Sequence, residues 1–396
     1  MDKSQLEDLR WLVSAAAAPL LAEYADCKDS FYVANQLRKH VPAERSRLVA
    51  EQVELRRRAS AKFSQAGEMF FARVQLEQAT EQSIAEYKAS RFFDVGSRLD
   101  LCSGIGGDLI ALAAQRPTIG VDNNPAVALL AEANLRVAGS SAQSATQVVC
   151  ATARPQQVAD VDGWHIDPDR RARGRRSTRL EDHQPDASWL REAITYNQHG
   201  AIKLAPAASV PADWEDAAEL EWISTRGECR QLVVWFGQFA LQAGQRSATA
   251  ISSAGVASIV GRTDTPVHHE ARLAPYLFEP DSAVLAAKLD GALAHELGAW
   301  RFDPRCAYLT GEQPATHPLA TCFQVEEVLP LSIKPLKAAL ASRDIGRLEI
   351  KKRGVDMDPD SLRRKLGLRG SSPGILVAAP LNGRQVALLV RRREGA

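Results

Sequence analysis

The sequence predicts an α/β fold built on a parallel sheet, with a helical region before it and a smaller α/β region after it. Three observations carry that prediction. LDLCSGIGGDLIAL, residues 99–112, reads as a strand, a glycine turn at Gly104, Gly106 and Gly107, and a helix resuming after Asp108. That sequence of elements opens a nucleotide-binding α/β unit. From 97 to about 260, short apolar runs alternate with helical stretches, the rhythm of βα units. Residues 1–93 carry apolar side chains at three and four spacings, such as Leu6, Leu9, Leu12 and Val13, with no strand alternation.

Taken in order, the N-terminal region ends on a helix over EQSIAEYKASRF, for which Thr80 and Glu81 are a plausible cap and first-turn acid. The strands of the central region are RLDLC, TIGVD, TQVVCA, GWHIDP and AIKLAP. LEWIS and QLVVWF, separated by TRGECR, predict a hairpin, and ATAISS a last strand. GRTDTPVHHEARLAPY links to the third region. There the pattern predicts helix SAVLAAKLDGALAHEL, strand CFQVEEVL, helix IKPLKAALAS, strand RLEIKK, helix DPDSLRRKLGL, and strands GILVAAP and QVALLVRR.

Composition narrows the class. The chain has 396 residues, 45% of them apolar and 24% charged, which is ordinary for a globular protein with a sizeable core. The formal net charge is +1, so affinity for nucleic acid must come from local patches. The six cysteines show no C-x-x-C pair and no metal spacing, which predicts a reducing compartment and no metal. MDKSQLEDLR lacks a signal-peptide pattern, and WLVSAAAAPLLA is too short to span a bilayer. The expectation is a cytoplasmic protein without a membrane partner; its oligomeric state is not readable.

The glycine turn reads G-I-G-G-D-L, so the third glycine of a dinucleotide fingerprint is misplaced. Asp100 lies inside the strand, four residues before Gly104, where a pyrophosphate would be repelled and an ammonium welcomed. The second strand ends GVDNNP, placing Asp122 at about the twenty-residue interval at which a carboxylate meets ribose hydroxyls. These features favour S-adenosylmethionine over a nicotinamide dinucleotide. The candidate cofactor-binding residues are Asp100, Cys102, Gly104, Gly106, Gly107, Asp122 and Asn123.

In WHIDPDRR, residues 164–171, Asp167 and Pro168 end the fourth strand, on the side where open α/β sheets hold ligands. Asp167 can accept a hydrogen bond from an exocyclic amine, and the Pro168 carbonyl offers a second acceptor. These two are the candidate catalytic residues, since methyl transfer needs chiefly positioning. Asp-Pro is equally a turn that caps a helix. Arg170, Arg171, Arg173, Arg175, Arg176 and Arg179 follow, and guanidinium forks suit phosphates and bases. The first five are the candidate RNA-binding residues, although a charge run is often only a solvated face.

LDLCSGIGGD followed by GVDNNP resembles the class I S-adenosylmethionine-dependent methyltransferases. With LEQATEQSIAEYKASRF upstream, it resembles the trimethylguanosine synthase-related branch. LPLSIKPLKAAL and GRLEIKKRGVDMDP resemble the THUMP-like domain. The resemblance implies a Rossmann-like methyltransferase sheet over 94–265, preceded by the helical region 1–93 and followed by a THUMP-like α/β domain over 266–396. It carries the cofactor role to Asp100, Gly104, Gly106 and Asp122. It also implies an acid or amide at Asp167, with prolines and an aromatic after it, where this chain has Pro168, Asp169 and Arg170. The implied function is methylation of a nucleotide in RNA, tRNA or rRNA. A small-molecule or protein acceptor stays open, as does a non-catalytic RNA-binding protein that keeps a cofactor pocket. C5 chemistry on a pyrimidine needs a cysteine nucleophile, which the fourth-strand motif lacks.

Overall fold

A computed structural model describes residues 3–139, 145–170 and 177–393. The chain divides into two compact units, Met1–Ala218 with Val233–Leu241, and Glu219–Leu232 with Gln242–Ala396. No helix among the described residues is long and apolar enough to cross a membrane.

The first unit opens on helices α1 (Lys3–Leu12), α2 (Ala18–Glu23), α3 (Ser30–Leu37) and α4 (Ala43–Ala59). Their apolar stripes meet in a cluster of Leu12, Leu21, Val33, Leu37, Val49 and Val53. Two short helices follow, α5 (Arg73–Gln78) and α6 (Gln82–Ser90). Thr80 does not cap α6. The cap position is Glu81, without a side-chain bond, and the Thr80 hydroxyl instead donates to Asp108 at 2.6 Å. A buried carboxylate is a stronger acceptor for that hydroxyl than a helix terminus is a donor to it.

The parallel strands are β1 (Arg98–Leu101), β2 (Thr118–Asp122), β3 (Gln147–Cys150), β4 (Gly163–Ile166) and β5 (Gly200–Leu204). Between them run α7 (Gly107–Ala113), α8 (Pro125–Ala138), α9 (Ala187–Tyr196) and α10 (Ala212–Ala217). The strand order is β3-β2-β1-β4-β5. The chain therefore winds outward from β1 to β3 and returns to β4, which makes the carboxyl ends of β1 and β4 a topological switch point. β1 and β4 are buried along their whole length, as a sheet covered on both faces requires. The N-terminal helices belong to this unit because Leu55, Phe63 and Phe71 pack with Ile105 of the glycine turn and with Val127 and Leu130 of α8.

The second unit opens on β6 (Glu219–Thr225) and the start of β7 (Glu228–Trp235), the predicted hairpin. Its turn, Arg226-Gly227, has φ of +52° and +74°, the two-positive-φ turn that matches strand twist. β8 (Arg246–Ser252) runs parallel to β6. The sequence predicts β8 as the last strand; the structure adds β9 (Gly255–Gly261), antiparallel to it.

A seven-stranded sheet follows in the same unit. It contains β10 (Tyr276–Pro280), β11 (Trp300–Arg301), β12 (Leu309–Gly311), β13 (Ala320–Pro330), β14 (Ile345–Lys352), β15 (Ser372–Leu381) and β16 (Arg384–Arg392). The single helix expected over 282–297 is two, α11 (Ser282–Ala287) and α12 (Asp290–Leu297), because Lys288 adopts φ +59° and ends the first. α13 (Ile333–Ser342) and α14 (Pro359–Leu366) cover one face with Leu336, Leu340 and Leu366 against Leu376 and Leu389. Phe302, Phe323, Val377 and Leu388 fill the other. Burial on both faces explains why β15 and β16 read as unbroken apolar runs.

Candidate active site

Register places the site before any side chain is considered. Leu101 pairs with Val121 on one side and Ile166 on the other, and Ile166 pairs with Ile202. The next residue of each strand therefore falls in one row along the carboxyl edge: Asp122, Cys102, Asp167 and Lys203. Two rows further in, Asp100 pairs with His165.

The loop after β1 is shaped by left-handed backbone at Cys102 (φ +55°), Gly104 (+56°) and Gly106 (+92°). A cysteine there is strained, and glycine is not. A Cβ on Gly104 would meet nothing within 4 Å, so the space over the loop is open to a ligand. A Cβ on Gly107 would sit 3.3 Å from the Thr80 backbone, so this glycine serves packing against the N-terminal region. Asp122 locks the loop: one carboxylate oxygen accepts from Gly104 N at 3.1 Å, the other from Asn124 N at 2.9 Å. Burial raises the Asp122 pKa against these bonds. Asn123 is exposed beside it. Asn124 caps α8, accepting from Ala126 N at 3.0 Å.

Asp167 Oδ2 accepts from Lys203 Nζ at 2.5 Å, and the same ammonium donates to the Gln78 carbonyl at 3.1 Å. The Gln78 amide reaches Asp169 Oδ1 at 3.3 Å. Burial works to lower the Lys203 pKa, but Asp167 and Asp108 outweigh it and the net direction is upward. Lys203 is thus a held ammonium, not a base. The Cys102 thiol is pushed up by burial and by Asp122, Asp167, Asp100 and Asp169 around it, so it stands as a neutral thiol.

Behind this row lies a buried charged chain. Lys88 Nζ meets Asp108 Oδ1 at 2.6 Å and His165 Nε2 at 3.1 Å, and His165 Nδ1 meets Asp100 Oδ1 at 2.7 Å. With an ammonium facing Nε2, the imidazole accepts there and donates from Nδ1 to Asp100. Burial lowers the Lys88 pKa and raises that of Asp100. Burial would raise Asp108 too, but the Lys88 ammonium foremost, with Lys203 behind it, outweighs it and holds the carboxyl well below the usual range.

The structure brings most of the sequence-predicted residues together at one edge. Cys102, Gly104, Gly106, Gly107, Asp122 and Asn123 form the loop and its flank. Asp167 stands in the same row, while Pro168 is buried and Asp169 exposed beside it. Asp100 is placed differently from the expectation. It is 1% exposed, its Oδ1 is taken by His165, and its Oδ2 is buried without a partner. Its carboxylate thus stands inside the protein, held by His165 through one oxygen. Arg170 is partly buried after Asp169. Arg171, Arg173, Arg175 and Arg176 lie outside the described residues.

Sequence reasoning missed Thr80, Lys88, His165 and Lys203. Lys203 carried a signal, a lone charge near the carboxyl end of the apolar strand AIKLAP. Lys88 carried none. A separate cavity of about 170 Å3 is lined by Phe63, Met69, Ala85, Gly107, Ile110 and Asn134 among others, and none of the row residues borders it.

The residues at this edge fit S-adenosylmethionine. The space over Gly104 is open, Asp122 is an acceptor pair at the ribose position, and the acids surrounding Cys102 suit a cationic end. Comparison with known proteins agrees. Residues 320–392 match the family described as THUMP domain-like, and residues 5–59 match a domain of unknown function (DUF8688). Two proteins of Mycobacterium tuberculosis, from strains CDC 1551 / Oshkosh and ATCC 25618 / H37Rv, are each described as an uncharacterized S-adenosylmethionine-dependent methyltransferase. Each is 31% identical over 345 residues, covering 83% of this chain and 91% of its own. A crystal structure described as a "putative methyltransferase" from Porphyromonas gingivalis W83 shares the fold, with a TM-score of 0.79 over 99% of both chains at 22% identity.

Proposed function

The chain belongs to the S-adenosylmethionine-dependent methyltransferases, and from that premise we propose that it methylates a nucleotide in RNA, tRNA or rRNA. The observation that carries the RNA reading is the THUMP-like match over residues 320–392. The arginines from 170 to 176 support it as phosphate contacts. The proposed division of labour is a helical region 1–93, a methyltransferase domain 94–265 and a THUMP-like domain 266–396.

In this reading Asp122 accepts the ribose hydroxyls, and the loop from Cys102 to Gly107 lets the cofactor lie against backbone. Bound S-adenosylmethionine would supply an electrophilic methyl on a cationic sulfur, with the neutral thioether as leaving group. Asp167 holds the acceptor: an amine hydrogen bonded to its carboxylate has its lone pair turned toward the methyl. The alkylated nitrogen then loses its surplus proton to water. Asp100 keeps His165 and Lys88 in place behind the row.

The test offers the purified full-length chain tritiated S-adenosylmethionine with total RNA, total protein or small-molecule extract, each from a strain lacking the gene. Label in RNA is the expected result. Label confined to the protein or small-molecule fraction refutes the RNA reading, and absence of S-adenosylmethionine binding by calorimetry refutes the cofactor site.

A further inference from the structure

Asp167 and Lys203 end neighbouring strands in one row, and they are unequally placed. The Lys203 side chain is 11% exposed and that of Asp167 is 32%. The ammonium therefore lies behind the carboxylate. It is held from two directions, by Asp167 Oδ2 at 2.5 Å and the Gln78 carbonyl at 3.1 Å. Among the described residues, Asp167 Oδ1 has no hydrogen-bond partner. The pair thus presents an acceptor oxygen outward while its formal charges cancel.

A lone carboxylate at this position would do something different. It would draw a cation toward itself and hold a sulfonium more tightly than the neutral thioether left after transfer. It would also be free to rotate, since among the described residues only Lys203 bonds its carboxylate oxygens. Lys203 removes both effects.

We propose that Lys203 is a positioning residue: it fixes the Asp167 carboxylate and cancels its charge, so that the site takes an uncharged acceptor whose N–H meets Asp167 Oδ1. The proposal rests on the reading that Asp167 faces the reactive end of the cofactor. An exocyclic amine or a ring amide of a nucleobase has this chemistry, whereas a phosphate or carboxylate acceptor lacks the N–H and would face Asp167 Oδ1 with like charge.

The charge half of the proposal can be read without knowing the acceptor. Calorimetry on the full chain gives the dissociation constants of S-adenosylmethionine and S-adenosylhomocysteine, which differ by one positive charge. In Lys203→Met the carboxylate is uncancelled, and the preference for the cationic ligand should rise about tenfold, a modest value for a unit charge a few ångströms from a cation. Lys203→Arg should restore the original ratio, and so should the double variant Asp167→Asn/Lys203→Met. Asp167→Asn alone leaves the lysine uncancelled and should shift the ratio the opposite way; it also covers the case in which Lys203→Met does not fold. A merely structural lysine would weaken both ligands equally. An unchanged ratio in a variant that still binds overturns the role of Lys203 and leaves the cofactor site standing. Failure of the unaltered chain to bind either ligand overturns the cofactor site together with this proposal.

Discussion

Lys88→Met is the sharpest perturbation of the buried chain behind the site. Lys88 is 2% exposed and bridges Asp108 and His165. Methionine fills similar space without charge, so the change is electrostatic more than volumetric. Asp108 would keep the Thr80 hydroxyl as its donor at 2.6 Å, and His165 Nε2 would lose its own. Stripping one partner from a buried ion pair costs about 3–5 kcal/mol. The stranded carboxylate has an escape, which is to bind a proton. From an ordinary aspartate pKa that costs about 4 kcal/mol at pH 7 and about 1.5 kcal/mol at pH 5. The loss should therefore be about 3–4 kcal/mol at pH 7 and shrink by roughly half at pH 5. Adding Asp108→Asn should recover at least about 2 kcal/mol at pH 7, the signature of coupled neighbours. Hydrogen exchange of peptides spanning β1 and β4 reads this unit without the other. A loss under about 1 kcal/mol, or one that is the same at both pH values and in the double variant, would refute the electrostatic account.

Two further outcomes follow from the same geometry. Asp122→Ala should weaken S-adenosylmethionine about tenfold or more by calorimetry, since bonds to a charged acceptor are worth about 1.5–3 kcal/mol; unchanged affinity would remove Asp122 from the cofactor site. Asp108, held below the usual range, contributes stability that is present above about pH 4 and is lost as pH falls toward its folded value. Urea unfolding between pH 5 and pH 3 should show that acid limb in the unaltered chain and a flatter one in Asp108→Asn, and parallel limbs would place the acid sensitivity elsewhere.

Legibility followed the length scale of the signal. The five parallel strands are short apolar runs bounded by turns, and local pattern is enough to find them. The glycine loop was legible because left-handed backbone at Gly104 and Gly106 leaves a mark in residue type. Cys102, at the same kind of φ, leaves none. β11 and β12 were not legible because strands of two and three residues are too short to carry a pattern. At the edge row, Asp122 and Asp167 stand next to motifs, and the sequence names them as candidates. Lys203 was not, because its meaning depends on the row Leu101, Val121, Ile166, Ile202, which exists only once strand register is fixed. Asp100 was read as a ligand contact because sequence gives no sign that His165 sits opposite it and takes its carboxylate.

The same dependence explains why apolar spacing drew a boundary at 93 that the charges do not respect. Asp108 lies in the first turn of the helix after the glycine loop, yet its two donors, Thr80 between α5 and α6 and Lys88 of α6, come from the N-terminal region. Lys203 ends β5, yet its second acceptor is the carbonyl of Gln78 at the end of α5. Gly107 has no side chain because the Thr80 backbone occupies that space. Buried carboxylates cannot stay ionised without donors. A sheet region alone would therefore hold Asp108 at a cost it could lower only by binding a proton. The helical region is best understood as the inner wall of the site, supplying the counter-charge and the donor that keep Asp108 ionised behind the strand ends.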